Sequence, residues 1–152
     1  MANTYTQIRI HFVFAVKDRT SVIAPTWRDD LHRYITGVAK EQRQRVLAIG
    51  GVSDHVHLFV GLTPTMAPST LMAHVKRASS TWVNENKLSM GHFGWQEGFG
   101  AFSYAASQTD AVVRYIMEQE EHHKTHTFRE EFETFLTRFG IAHDEKYVFH
   151  DI

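Results

Sequence analysis

From Ile8 to Lys17 the chain alternates: Ile8, Ile10, Phe12, Phe14 and Val16 fall on one side, and Arg9, His11, Val13, Ala15 and Lys17 on the other. A period of two predicts a first strand with one buried face. After Pro25 the period becomes helical, with Leu31, Tyr34, Ile35 and Val38 in register, so a helix is expected from about Trp27 to Glu41. A Thr26–Asp29 capping box would open it. The apolar runs Arg45–Gly51 and His55–Leu62, split by Ser53-Asp54, predict an antiparallel hairpin. Leu71, Val75, Ala78 and Trp82 restore helical spacing up to about Asn84, with Lys76 and Arg77 on more exposed sides.

Between residues 91 and 100, Gly91, Gly94, Gly98 and Gly100 stand among Phe93, Trp95 and Phe99, a loop composition that matches no phosphate-binding glycine motif. A short strand is expected at 101–106. Capping boxes at Ser107–Asp110 and Thr127–Glu130 predict a helix over about 108–123 and a C-terminal helix over about 128–139, stopped by Gly140. The order β-α-β-β-α-β followed by helices is that of an α+β, ferredoxin-like sandwich with additional C-terminal helices. One domain over residues 1–152 accommodates all of it, without internal repeats.

Composition narrows the chemistry. A chain of 152 residues, 43% hydrophobic and 22% charged, fits one globular domain with a sizeable core. No apolar run approaches the roughly 18 residues of a membrane span, and the first residues lack the regions of a signal peptide, so a cytoplasmic protein is expected. The absence of cysteine removes disulfides, thiolate zinc sites and a cysteine nucleophile. A metal ion would have to take His, carboxylate or amide ligands. The net charge of −1 hides an asymmetry: residues 1–117 hold 12 Lys and Arg against 8 Asp and Glu, and the remainder hold 4 against 9. The first three quarters of the chain therefore carry the charge to face a polyanion.

The sharpest motif is Asp54-His55-Val56-His57-Leu58, which sets two histidines on one face of the third strand. Same-face neighbours lie about 6.5–7 Å apart along a strand, so two imidazoles can converge on one divalent ion. Two solvated or hydrogen-bonded imidazoles give the same pattern, and a metal site needs a third ligand from elsewhere. Tyr115 and Gln119, at i and i+4, share a helix face while Val112, Val113 and Ile116 form the apolar side. A tyrosine at the edge of the core beside a solvated glutamine is the alternative there. His122, His123 and His126 read either as a separate metal site or as histidines favoured by a helix C-terminus. His11 faces away from the Ile8/Phe12 stripe and is a candidate to flank the histidine pair. Lys17 and Arg19, Lys40, Arg43 and Arg45, and Lys76 with Arg77 are basic groups able to hold phosphates or simply to be solvated. Phe93, Trp95 and Phe99 suit either base stacking or packing.

These residues carry a resemblance. Lys17-Asp18-Arg19, Asp54-His55-Val56-His57-Leu58, Leu71 through Ser80, Trp95-Gln96-Glu97-Gly98-Phe99-Gly100-Ala101-Phe102-Ser103, Tyr115-Ile116 with Gln119, and Glu121-His122-His123 with Phe128 occur in an order that resembles the single-tyrosine HUH transposases of small bacterial insertion sequences. The resemblance spans nearly the whole chain. It implies that His55 and His57 bind a divalent ion, Mg²⁺ or Mn²⁺, that Gln119 is the third ligand, and that Tyr115 is a nucleophile on a mobile helix. It implies further that single-stranded DNA with hairpins at element ends is cleaved and rejoined through a 5′-phosphotyrosine link. Lys17, Arg19, Lys76 and Arg77 are then the candidate DNA contacts. A homodimer is expected, in which the tyrosine helix of one subunit can serve the histidines of the other. Tyr104 is the reserve nucleophile, since Tyr5 and Tyr147 lie near the termini and Tyr34 lies in an apolar stripe. Two other readings stay open: a domesticated relative processing repeated extragenic palindromes, and a non-catalytic ferredoxin-like module that binds single-stranded nucleic acid.

Overall fold

The structure, a computed structural model, describes residues 3–142, so Tyr147 lies outside the described residues. Strands β1 (Ile8–Ala15), β2 (Arg45–Gly51), β3 (His55–Leu62) and β4 (Gly100–Ser103) form one sheet in the order β2-β3-β1-β4, and all neighbouring pairs are antiparallel. Helix α1 (Pro25–Glu41) joins β1 to β2, and α2 (Pro68–Glu85) lies between β3 and β4. Three helices follow: α3 (Thr109–Met117), α4 (Gln119–His122) and α5 (Phe128–Arg138). The split βαβ order and the helical extension are those the hydrophobic pattern predicts.

One sheet face packs Phe12, Phe14, Val56, Leu58 and Val60 against Leu31 and Ile35 of α1 and Leu71 and Val75 of α2. The opposite face is also covered, which corrects the expectation of a first strand with a single buried side. His11, Val13 and Ala15 are as buried as their neighbours. The added helices are the reason: Val13, Ala15 and Phe102 meet Phe128, Phe132 and Phe135 of α5, and Ala48 and Phe59 meet Val112 and Ile116 of α3.

Helix boundaries differ from the sequence reading where proline and glycine decide them. α1 begins at Pro25 with Ala24 as N-cap and no side-chain cap, so the Thr26–Asp29 box does not form. Proline lacks the N–H that a first helical turn would leave unpaired, and its φ is already helical, so the helix starts on it. α2 starts the same way on Pro68. The Ser107–Asp110 box is replaced by a 3-10 turn at Ala106–Gln108, in which Gln108 Oε1 accepts the Ala105 N–H at 2.9 Å. The Thr127–Glu130 box does form: Thr127 Oγ1 accepts from the Glu130 N–H at 3.2 Å, and Glu130 Oε1 accepts from the Thr127 N–H at 3.0 Å. Strand β4 stops at Ser103, its pairing partner to Ile10, short of the expected Ala106.

The expected 108–123 helix is interrupted. Glu118, at φ −102° and ψ 22°, separates α3 from α4. The end of α3 presses onto the sheet at Gly50, where an added Cβ would stand 2.3 Å from the Ile116 carbonyl oxygen. Only glycine permits that approach, which brings the tyrosine helix down beside β3.

Candidate metal and tyrosine site

On β3, His55 and His57 point to the face covered by α3, α4 and α5, and both are fully buried. Their cross-strand neighbours leave room for the rings: Ala15 stands opposite His55, and Val13 and Gly50 flank His57. Tyr115, half-buried on α3, sets its ring edge-on to His57 with centroids 5.7 Å apart. Gln119 is buried at the start of α4, with Oε1 3.1 Å from His55 Nε2. Four of the residues read from the sequence thus meet in one place despite the helix break, and Gln119 still donates to the Tyr115 carbonyl at 3.3 Å.

Two further residues enter the site: Glu131, which sequence reasoning left aside, and His123, which it assigned to a separate metal site or to a helix C-terminus. Glu131 of α5 places Oε1 3.0 Å from His57 Nε2 and 3.3 Å from His55 Nε2, while Oε2 accepts the Tyr115 hydroxyl. His123 brings Nε2 to 3.2 Å from Glu131 Oε1. Ligand atoms of His55, His57, His123 and Glu131 all lie within 4.8 Å of one another. The signal for Glu131 was present: it is a carboxylate in register with Phe128, Phe132 and Phe135 on the buried stripe of α5. His123 was marked by its histidine cluster but not as a partner of His55 and His57, because a turn and not a helix face aims it inward.

The electrostatics follow from burial and partners. His55 Nδ1 lies 2.6 Å from Asp54 Oδ1, and a carboxylate only accepts, so Nδ1 carries the proton and Nε2 faces the cluster. Burial alone would lower the His55 pKa, but the Asp54 and Glu131 carboxylates overcome it and raise the pKa to about 9. Burial likewise works against ionisation of Glu131, yet the hydrogen bonds from His55 and His57 bring it down to about 2. Burial dominates at His57 and His11 and keeps both below the usual histidine value. His11 Nε2 sits 2.7 Å from His57 Nδ1, which places His11 behind the pair as its position on β1 led one to expect.

Does this pocket suit a divalent ion? His123 donates its Nδ1–H to the His126 carbonyl at 2.8 Å, leaving a buried Nε2 without a hydrogen-bond partner opposite a carboxylate oxygen. Two acceptors facing each other call for a cation, and the donor set of imidazole, carboxylate and amide, free of thiolate, is one that a divalent ion can take. The residues fit the group.

The remaining candidates are more scattered. Lys17 is exposed at the end of β1, and Arg19 belongs to a 3-10 turn, Arg19–Ser21. Both follow Val16, whose N–H donates to the Asp54 carbonyl beside His55. Lys76 donates to the Gln96 and Gly98 carbonyls at 2.9 and 2.5 Å, and burial brings its pKa down to about 8. It pins the glycine-rich loop. Arg77 is exposed on α2. Phe93 is fully buried, and Trp95 donates to Ser79 Oγ at 3.0 Å, so both are packing groups. Tyr104 rests edge-on to Phe59 and Phe139, whereas the Tyr115 hydroxyl reaches the carboxylate. His122 and His126 stack with centroids 5.0 Å apart. Beside Tyr115 opens a mainly apolar cleft of about 340 Å³, lined by Tyr104, Val112, His122, Phe135 and Arg138.

Among the solved structures that share this fold, two are compared. A protein from Deinococcus radiodurans R1, provisionally described as a transposase, aligns with TM-score 0.62 at 19% identity over 76% of this chain and 93% of its own. A REP-associated tyrosine transposase bound to a REP hairpin aligns with TM-score 0.56 at 14% identity over 93% of this chain and 74% of its own. No curated protein matches the sequence. The family model for IS200-like transposases matches residues 4–119. That span runs from before β1 through the histidine pair and the tyrosine helix to Gln119, and the chain accordingly belongs to the IS200-like transposase family.

Proposed function

We propose that this protein cleaves and rejoins single-stranded DNA through a covalent link to Tyr115, with a divalent ion held by His55, His57 and Gln119. The observation that carries the reading is the convergence of the Tyr115 ring, both β3 imidazoles and the Gln119 amide oxygen in one buried pocket of a single chain. When bound, the ion polarises the scissile phosphate and offsets charge on the departing oxygen. Tyr115 Oη forms the new bond to phosphorus, the bond to the 3′ oxygen breaks, and the proton lost by the phenol is balanced by the one the 3′ oxygen takes up. The product is a 5′-phosphotyrosine and a free 3′-hydroxyl. Phenol, with a reference pKa near ~10, leaves more readily than an alkyl alcohol, so the 3′-hydroxyl of another end can reverse the reaction without ATP.

The cleft beside Tyr115 gives a nucleotide access to the hydroxyl, and Arg138 at its wall supplies a cation for phosphate. Hairpin DNA is the proposed substrate class, a choice that the fold shared with a hairpin-bound transposase supports. Lys17, Arg19 and Arg77 are the proposed contacts to the strand, with Lys76 acting through the loop it holds. A homodimer is the proposed assembly. Action on DNA in the cytoplasm is proposed; among the described residues no helix is long and apolar enough to cross a membrane.

The test is a denaturing gel of the full chain with 5′- and 3′-labelled single-stranded hairpin DNA and Mn²⁺. A boiling-resistant protein–DNA species in the wild type, lost in Tyr115→Phe while DNA binding persists, is the expected result. Binding without any covalent species would replace the transferase with the non-catalytic module.

A further inference from the structure

Glu131, like His123, belongs to this site but not to the proposed ligand set. Its side chain is only 2% exposed and lies within the aromatic stripe of α5. A carboxylate in such a place is retained only if strong partners compensate its lost hydration. Its partners are the groups of the proposed centre. Oε1 faces Nε2 of His55, His57 and His123, and Oε2 faces Tyr115 and Gln119.

The separations suit shared coordination. Neighbouring ligands around an octahedral ion at 2.0–2.1 Å stand about 3.0 Å apart. Here His57 Nε2 to Glu131 Oε1 is 3.0 Å, His55 Nε2 to Gln119 Oε1 is 3.1 Å, and His55 Nε2 to Glu131 Oε1 is 3.3 Å. The tautomers agree. Asp54 fixes the His55 proton on Nδ1 and the His126 carbonyl fixes that of His123, so each directs Nε2 towards the same carboxylate oxygen. An imidazole lone pair and a carboxylate oxygen 3.2 Å apart are both acceptors, and a cation bound to them resolves the conflict.

We infer that Glu131 is an anionic ligand of the divalent ion, supplied by α5, so that ion binding fastens the C-terminal helix to the sheet. The inference rests on the metal reading proposed above and extends it: His55, His57 and Gln119 are neutral as ligands, and Glu131 gives the centre its negative charge. The competing geometry is a plug, in which the carboxylate holds the ion's place and must leave before the ion enters. The two roles predict opposite signs.

The experiment is a calorimetric titration of Mn²⁺ into the chelator-stripped full chain, without DNA, for the wild type, Glu131→Gln and Glu133→Gln. Glutamine keeps the size of the side chain, and circular dichroism confirms that the variants are folded. Glu133→Gln removes a charge that pairs with Arg129 on the same helix, outside the pocket. Glu131→Gln is expected to weaken Mn²⁺ at least about tenfold, with Glu133→Gln within about twofold of wild type. Amide exchange in α5 supplies a second readout: Mn²⁺ should slow it in the wild type and not in Glu131→Gln. Affinity unchanged or raised in Glu131→Gln, with α5 exchange indifferent to Mn²⁺, overturns the inference while leaving the metal reading standing. Absence of Mn²⁺ binding by the wild type overturns both.

Discussion

The two faces of one sheet are built from the same strands and spend burial differently. Towards α1 and α2, Phe12, Phe14, Val56, Leu58 and Val60 form a continuous apolar core. Towards α3, α4 and α5, His11, His55, His57, Gln119 and Glu131 are buried among Phe102, Phe128 and Phe135. On the first face each side chain gains by leaving water. On the second, ionisable groups are held away from water by one another, an arrangement that costs stability and places chemistry where water is excluded. Alternation along β1 and β3 lets one strand serve both purposes, residue by residue.

That contrast can be broken from either side. The largest effect is expected at His57→Ala, which should lower DNA cleavage by orders of magnitude, because the ion loses one of few ligands. Its melting temperature should move far less than that of its strand neighbour Leu58→Ala, measured side by side by calorimetry. Leu58→Ala opens a cavity in the apolar face and should cost about 2–5 kcal/mol, with Mn²⁺ affinity kept wherever the protein remains folded. If His57→Ala proved the more destabilising of the two, the second face would be a structural core and the division would fail.

Gln119→Ala comes next: it should reduce cleavage and flatten its Mn²⁺ dependence while preserving hairpin binding. Gln119→Glu should keep activity and tighten Mn²⁺, since a carboxylate binds hard cations better than an amide. A rate and a Mn²⁺ titration unchanged in Gln119→Ala would remove Gln119 from the ligand set and leave Glu131 and His123 beside the histidine pair. Behind the pair, His11→Phe should weaken Mn²⁺ by about 10-fold or more, because His57 can present Nε2 to an ion only with its proton on Nδ1, where His11 accepts it. Unchanged affinity would reduce His11 to packing.

The smallest effect concerns pH in the metal-free protein. The His55 pKa stands at about 9, above its ordinary 6.5, so protonation stabilises the folded state. That contribution is complete below pH 6.5 and is lost as pH rises through about 9. The melting temperature of the metal-stripped chain should therefore fall over this window. Added Mn²⁺ should reverse the slope, because the ion competes with the proton on His55 and binds more tightly as that proton leaves. A flat profile in both states would deny His55 its charge.

The apolar face was legible in the sequence, because apolar runs and helical periods report burial directly: β2 and β3 fall on the residues where the two apolar runs placed them. The other face was legible only in part. His55 and His57 announce themselves by spacing along one strand, and Tyr115 and Gln119 by helical spacing across what proves to be a break at Glu118. Glu131 and His123 join them through tertiary packing, from 74 and 66 residues beyond the nearer histidine of the pair, and no local period encodes such a meeting. The helix start at Pro25 was misread for a local reason: a proline at the first helical position needs no side-chain cap, so the capping residues after it were redundant.

Tyr115 is the residue proposed to become joined to DNA. Mass spectrometry locates that bond directly. The wild-type chain is reacted with hairpin DNA and Mn²⁺, digested with nuclease and trypsin, and searched for a nucleotide phosphate adduct. The adduct is expected on the peptide that begins at Tyr115, after Arg114, and ends at Lys124. An adduct on Tyr104, in the peptide that ends at Arg114, or none under conditions where the DNA is cleaved, would contradict that assignment.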